Sequence, residues 1–133
     1  MSRLPPLTGL AVALAVALGL NPAAAQQAQF CDGSLVANSA YTNLVPGARG
    51  GAQVEYHVLF QNRHAGGQRL GVRVLDITPI GKISFARVQP GFTLTAGSQA
   101  KLIMATIQIP SPGAGAPGPA QFLQALKLEC RLL

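Results

Sequence analysis

Residues 53–63 read QVEYHVLFQNR. Val54, Tyr56, Val58 and Phe60 fall on one side of an extended chain, and Glu55, His57 and Gln61 fall on the other, with Leu59 the exception. A period of two is the signature of a half-buried strand, because successive side chains of an extended backbone point to opposite faces. Downstream, QRLGVRVLDI (68–77) repeats the pattern: Leu70, Val72 and Val74 share a face opposite Arg69 and Arg73. Between the two runs lies NRHAGGQ, where Gly66-Gly67 admits positive φ without steric cost. Two alternating runs about a glycine-bearing loop predict a hairpin.

Further strands are expected on either side. GSLVANSA (33–40) reads as an early strand, YTNLVPG (41–47) as its connection and PGARGG (46–51) as a turn. After the expected hairpin, Pro79, Gly81, Pro90-Gly91 and Gly97-Ser98 punctuate the chain, leaving short strands at 82–88, 91–95 and 100–109. In the last of these, Ile103, Ala105, Ile107 and Ile109 share one face, and Leu102, Met104, Thr106 and Gln108 share the other. PSPGAGAPGPA (110–120) supports neither ladder nor helix and reads as an exposed connector.

The final run, QFLQALKLECRLL (121–133), admits two readings. As a strand it points Phe122, Leu126, Leu128, Cys130 and Leu132 inward and Lys127, Glu129 and Arg131 outward. As a helix it gathers Gln124, Lys127 and Arg131 into a polar stripe, and its lack of β-branched residues favours that form. The strand is the expectation, because Leu128 and Leu132 would fall on the helix's polar side. Six to seven short antiparallel strands separated by Gly/Pro turns predict an all-β sandwich. The layout resembles the immunoglobulin-like sandwiches of exported proteins, although the chain has no Trp and its cysteines are terminal.

The N-terminus predicts export. Arg3 precedes an uncharged run from Leu10 to Leu20, and Ala23-Ala24-Ala25 offers a small-residue cleavage site. The run is too short to cross a bilayer core, which takes roughly 20 apolar residues. Residues 1–25 are therefore expected to be a cleaved signal peptide, and residues 26–133 one β-sandwich domain without a transmembrane segment. A lipoprotein is not expected, because bulky Phe30 directly precedes Cys31. The leader holds one of the ten Lys+Arg and none of the four Asp+Glu, so the net charge falls from +6 to +5. The expected location is periplasmic or secreted.

An oxidising compartment favours disulfides, and two cysteines allow one bond. Cys31 and Cys130 are expected to join, latching the two ends of the domain with Cα atoms roughly 4.4–6.8 Å apart. Closing a loop of ~100 residues stabilises by up to about 4.7 kcal/mol in the chain-entropy model.

No catalytic or metal motif is present, and the four carboxylates, Asp32, Glu55, Asp76 and Glu129, are scattered. No cofactor is expected, and a small hydrolase ranks behind two binding readings. In the first, a non-catalytic module of the bacterial cell envelope meets an envelope or extracellular protein through a sheet edge or an apolar face. Leu59, Leu75, Leu102, Met104 and Leu123 fall on nominally outward faces, which calls for covered faces or a partner. In the second, Arg49, Arg63, His64, Arg69 and Arg73 form a cationic surface for anionic glycan or lipid head groups, since Arg pairs bidentately with carboxylate and phosphate. The basic residues are too dispersed for a nucleic-acid footprint. His57, beside Glu55 and with Arg73 expected across the hairpin, reads as a solvated cross-strand pair or a pH-sensitive contact with a partner.

Overall fold

A computed structural model describes residues 27–47, 50–77 and 85–133. The expected leader, Arg49 and the start of the strand expected at 82–88 lie outside the described residues. Eight strands are described: β1 (Ala28–Phe30), β2 (Leu35–Pro46), β3 (Ala52–Asn62), β4 (Leu70–Asp76), β5 (Phe85–Val88), β6 (Gly91–Leu94), β7 (Gln99–Ile109) and β8 (Lys127–Leu132). One helix, α1 (Pro119–Ala125), precedes β8. The strands form two antiparallel sheets, ordered β1-β2-β3-β7-β5 and β6-β4-β8.

Strand β3 alternates as expected: Ala52, Val54, Tyr56, Val58 and Phe60 are buried on the inner face. The expected hairpin with β4 does not form. Both sides of β3 are taken, by β2 and β7, and β4 pairs with β6 and β8 in the other sheet. The 63–69 loop therefore crosses between sheets. The crossing lets the apolar face of β3 meet that of β4, whereas a hairpin would put both on one side and leave them to find another cover.

Three other expectations are corrected. YTNLVPG is strand rather than connection, for β2 pairs with β3 as far as Pro46 opposite Ala52. A bulge at Asn38 hides this in the sequence: Ala37 and Ala40 both point inward, three residues apart, so the period of two is interrupted. In β7 a second bulge falls at Met104, between the pairs Tyr56–Ala105 and His57–Ile103. Ile103 is thereby turned outward, 43% exposed, while Leu102 turns toward the core and Met104 is buried. A one-residue slip flips every side chain beyond it.

The third correction concerns the C-terminal run, which is helix and then strand. Pro119 starts α1 behind Gly118, and Phe122, Leu123, Ala125 and Leu126 are buried while Gln121 and Gln124 face out. Pro suits a first helical position because its missing N–H has no partner there in any case. From Lys127 the chain alternates, with Leu128 and Cys130 packed against the core as expected and Leu132 exposed.

The core lies beneath β3. At one end Phe60 packs against Phe92 of the second sheet at 4.9 Å and edge-on to Phe30 at 6.1 Å. At the other end α1 takes over as cover, with Phe122 stacked on Tyr56 at 4.5 Å and the Tyr56 hydroxyl donating to the Pro117 carbonyl at 2.8 Å. Burial raises the pKa of Tyr56. The chain changes sheets again at Gln89-Pro90: the Gln89 N–H donates to Met104 in the first sheet, and the Pro90 carbonyl accepts from Val74 in the second. The expected disulfide joins Cys31, in the turn after β1, to Cys130 in β8, with Cα atoms 6.0 Å apart. It ties the margin of one sheet to the margin of the other. Among the described residues no helix is long and apolar enough to cross a membrane.

Candidate interaction surface

Of the basic residues singled out in the sequence, those described are divided between the loop after β3 and the outer face of the second sheet. Exposed Arg63 follows β3, its N–H donating to the Ser34 carbonyl at 2.8 Å, and it borders a hollow with Gln29, Val36 and Asn38. His64 serves its own turn: its Nδ1 accepts from the Gly66 N–H at 3.1 Å, and its carbonyl accepts from the Gly67 N–H at 3.0 Å. Gly67 holds φ at +69°, the left-handed region that favours glycine. Arg69 and Arg73 lie on the second sheet, where alternation puts them on the outer face. Arg131, opposite Gly71, joins them there. Arg73 does not reach His57; it donates to Glu129 across β4 and β8 at 2.7 Å, in an exposed pair. Glu129 thus offsets one of the three cations on that face.

A denser arrangement covers the outer face of the first sheet. Register brings Tyr41, His57 and Ile103 into one row, and Asn43, Glu55, Thr106 and Arg87 into the next. The Tyr41 and His57 rings stack at 4.7 Å, only 9° from parallel, and the Lys101 ammonium lies 5.7 Å from the Tyr41 ring centre. The Glu55 carboxylate accepts from the His57 ring at 3.0 Å and from the Asn43 amide at 3.2 Å. These bonds, His57 first, hold the Glu55 pKa below its ordinary 4.5. A shallow depression of about 590 Å³ beside them is bordered by Glu55, Arg87, Lys101, Ile103 and Gln108.

This face adjoins an open sheet edge. Strand β1 pairs with β2 only over Leu35–Ala37, so among the described residues no strand pairs with the outer margin of β2 from Asn38 to Pro46. Tyr41, Thr42, Asn43, Leu44 and Pro46 are exposed, Tyr41 at 40% and Leu44 at 49%. No residue of β2 is charged. Native sheets ordinarily blunt long edges with Lys, bulges or covering segments, since a row of free N–H and C=O groups is a template for another strand. Among the described residues no strand covers this edge over most of its length, although α1 packs against β2.

The sequence reading missed Tyr41, Asn43, Lys101 and Arg131. The signal for the first two was the alternation of YTNLV, obscured by the bulge at Asn38. Of the five apolar residues expected to face outward, Met104 and Leu123 are buried and Leu102 is half-buried. Leu59 and Leu75 stay on outer faces, Leu75 53% exposed. Among the described residues no three of His, Cys, Asp and Glu gather in a way that would hold a metal ion. Comparison of the chain with protein-family models, with curated proteins and with solved structures found no match.

Proposed function

We propose that the chain is an exported, non-catalytic binding or assembly module of the bacterial cell envelope, an immunoglobulin-like sandwich that engages a protein partner through the edge of its first sheet. The observation that carries this reading is the uncharged margin of β2, unpaired by any described strand beyond Ala37. Strand addition at such an edge draws its affinity from main-chain hydrogen bonds and its specificity from alternate side chains. The two packed sheets, the strand pair that changes sheet at Gln89-Pro90 and the disulfide latch support the sandwich and export parts of the reading.

The test is capture from an envelope extract by the oxidised protein, washed at low salt and then at ~1 M salt, where screening acts over about 3 Å. A discrete protein that survives the salt wash, and that is lost with a Thr42→Lys variant, supports the edge. The second reading, a cationic binder of glycan or lipid head groups, draws on Arg69 and Arg131, which share the outer face of the second sheet. Glycan or lipid released by salt, with no protein retained, would replace the first reading with the second.

A further inference from the structure

We infer that the strand taken up by the β2 edge is β2 of a second copy of this chain, so that two first sheets join into one continuous antiparallel sheet across a two-fold axis at Thr42. The inference rests on the reading of that edge as a protein-binding surface and names its occupant.

The dimensions of the edge carry the argument. Its open part runs from Asn38, where β1 stops pairing, to Pro46, where β2 ends. Thr42 is the midpoint. An antiparallel copy centred there sets Tyr41 against the second copy's Asn43, Ala40 against its Leu44 and Asn38 against its Pro46. The incoming strand therefore ends where β1 begins, at a residue with no N–H to extend the ladder. Odd residues meet odd and even meet even, so the outer and inner faces continue from one copy into the other. Across the junction, the Glu55–Asn43 row of one copy runs into the Tyr41–His57 row of the other.

Charge points the same way. The chain carries +6, or +5 without the expected leader, and self-association of a cationic protein meets repulsion wherever charges face each other. Along β2 there are none, so the two paired strands set no like charges against each other. With the expected cleavage after Ala25, only two residues precede β1, too few to line the edge as far as Pro46. Assembly through the first sheet also stops at two. A two-fold contact uses both open edges, and the opposite margin of the first sheet is short β5, which bears Arg87 and bends into the second sheet at Gln89-Pro90.

The test is sedimentation of the protein made from the full coding sequence in an exporting host and purified oxidised, its N-terminus read by mass spectrometry. The expected result is a monomer–dimer equilibrium between ~1 μM and ~1 mM, with nothing larger, since an interface of this size is at the weak end of the range. At the axis residue 42 faces itself. Thr42→Lys alone and Thr42→Glu alone should each weaken the dimer at least ~10-fold, the defect easing in ~1 M salt. An equimolar mixture of the two variants should restore a mixed dimer. Matching circular dichroism of both variants reports that the fold is kept, and the wild-type dilution series needs no variant at all. A wild-type protein that stays monomeric to ~1 mM, or a dimer indifferent to both substitutions, overturns the inference. If that monomer still captures a salt-resistant envelope protein through residue 42, the second copy is wrong and the proposed function stands. A dimer that depends on residue 42 but captures nothing else upholds the inference and removes the foreign partner.

Discussion

Two polar side chains on β3 hold more of the structure than their composition suggests. Asn62 is 1% exposed at the point where the chain leaves the first sheet for the second. Its amide donates to the carbonyls of Gln68, Leu94 and Thr95, and its Oδ1 accepts from the His64 N–H. One side chain therefore fastens the 63–69 crossing to the β6–β7 turn. Asn62→Ala should cost roughly 1–3 kcal/mol or more in urea unfolding, because buried carbonyls lose their donor. Asn62→Asp should cost more than Asn62→Ala, since it replaces a donor with an acceptor facing three carbonyls. The reverse order would show that the amide contributes mainly by filling space. Glu55 acts on pH instead. Its folded-state pKa is lowered by the bonds from His57 and Asn43, so its contribution is present above the unfolded value and lost as pH falls through the folded one. Stability should therefore decline below about pH 4.5, the ordinary value, with a shallower decline in Glu55→Gln. An unchanged acid profile in the variant would assign the decline to other groups.

At the scale of elements, the corner between β5 and β6 depends on close backbone approach. A Cβ built on Gly91 would lie 2.7 Å from the Val72 carbonyl oxygen, a main-chain atom with little freedom to move. Gly91→Ala should destabilise by about 1–3 kcal/mol through this overpacking. It should also loosen the β4–β6 pairing selectively, seen as faster amide exchange in β6 than in β3. Equal protection in both strands would show that the corner yields without strain. The same elements show what was legible beforehand. β3 and β4 announced themselves because one face of each is buried and no bulge interrupts the apolar residues from Ala52 to Asn62 and from Leu70 to Val74. The bulges at Asn38 and Met104 were not legible, since an extra residue leaves no compositional mark and is revealed only by the strand opposite. The pairing of β3 and β4 was misread for a related reason. A local pattern reports that each strand has an apolar face, but not whether the two faces lie side by side or against each other. The end of the chain was ambiguous because leucine serves both forms; Pro119 behind Gly118 was the available sign that a helix begins there. As for the surface, the sequence displayed its arginines, whereas the open edge is a property of pairing and had no such sign.

At the scale of the molecule, the disulfide is the one covalent link between the two sheets beyond the chain itself. It closes a loop of 99 residues in sequence separation, from the turn after β1 to β8. The first and last strands are also the ones with most to lose. β1 is three residues long and pairs with β2 alone, and β8 is held along one side by β4. By contrast β3 is flanked on both sides and carries Tyr56 and Phe60 into the core. Replacing both cysteines, Cys31→Ser with Cys130→Ser, restores the conformational freedom of the unfolded chain and should cost about 2–5 kcal/mol. The loss should be uneven. Amides of β1 and β8 should exchange through local opening, while those of β3 and β7 keep the protection set by global unfolding. Native-state hydrogen exchange on the double variant reads both effects together. A uniform loss of protection would mean that the sheets open as one unit and that the latch acts only on the unfolded chain. Selective loss in β1 and β8 would mean that it also holds the margins of the two sheets together. In that second case the β2 edge changes as well, because β1 limits where its open part begins, and amides of β2 from Leu35 to Ala37 should lose protection in the double variant along with those of β1.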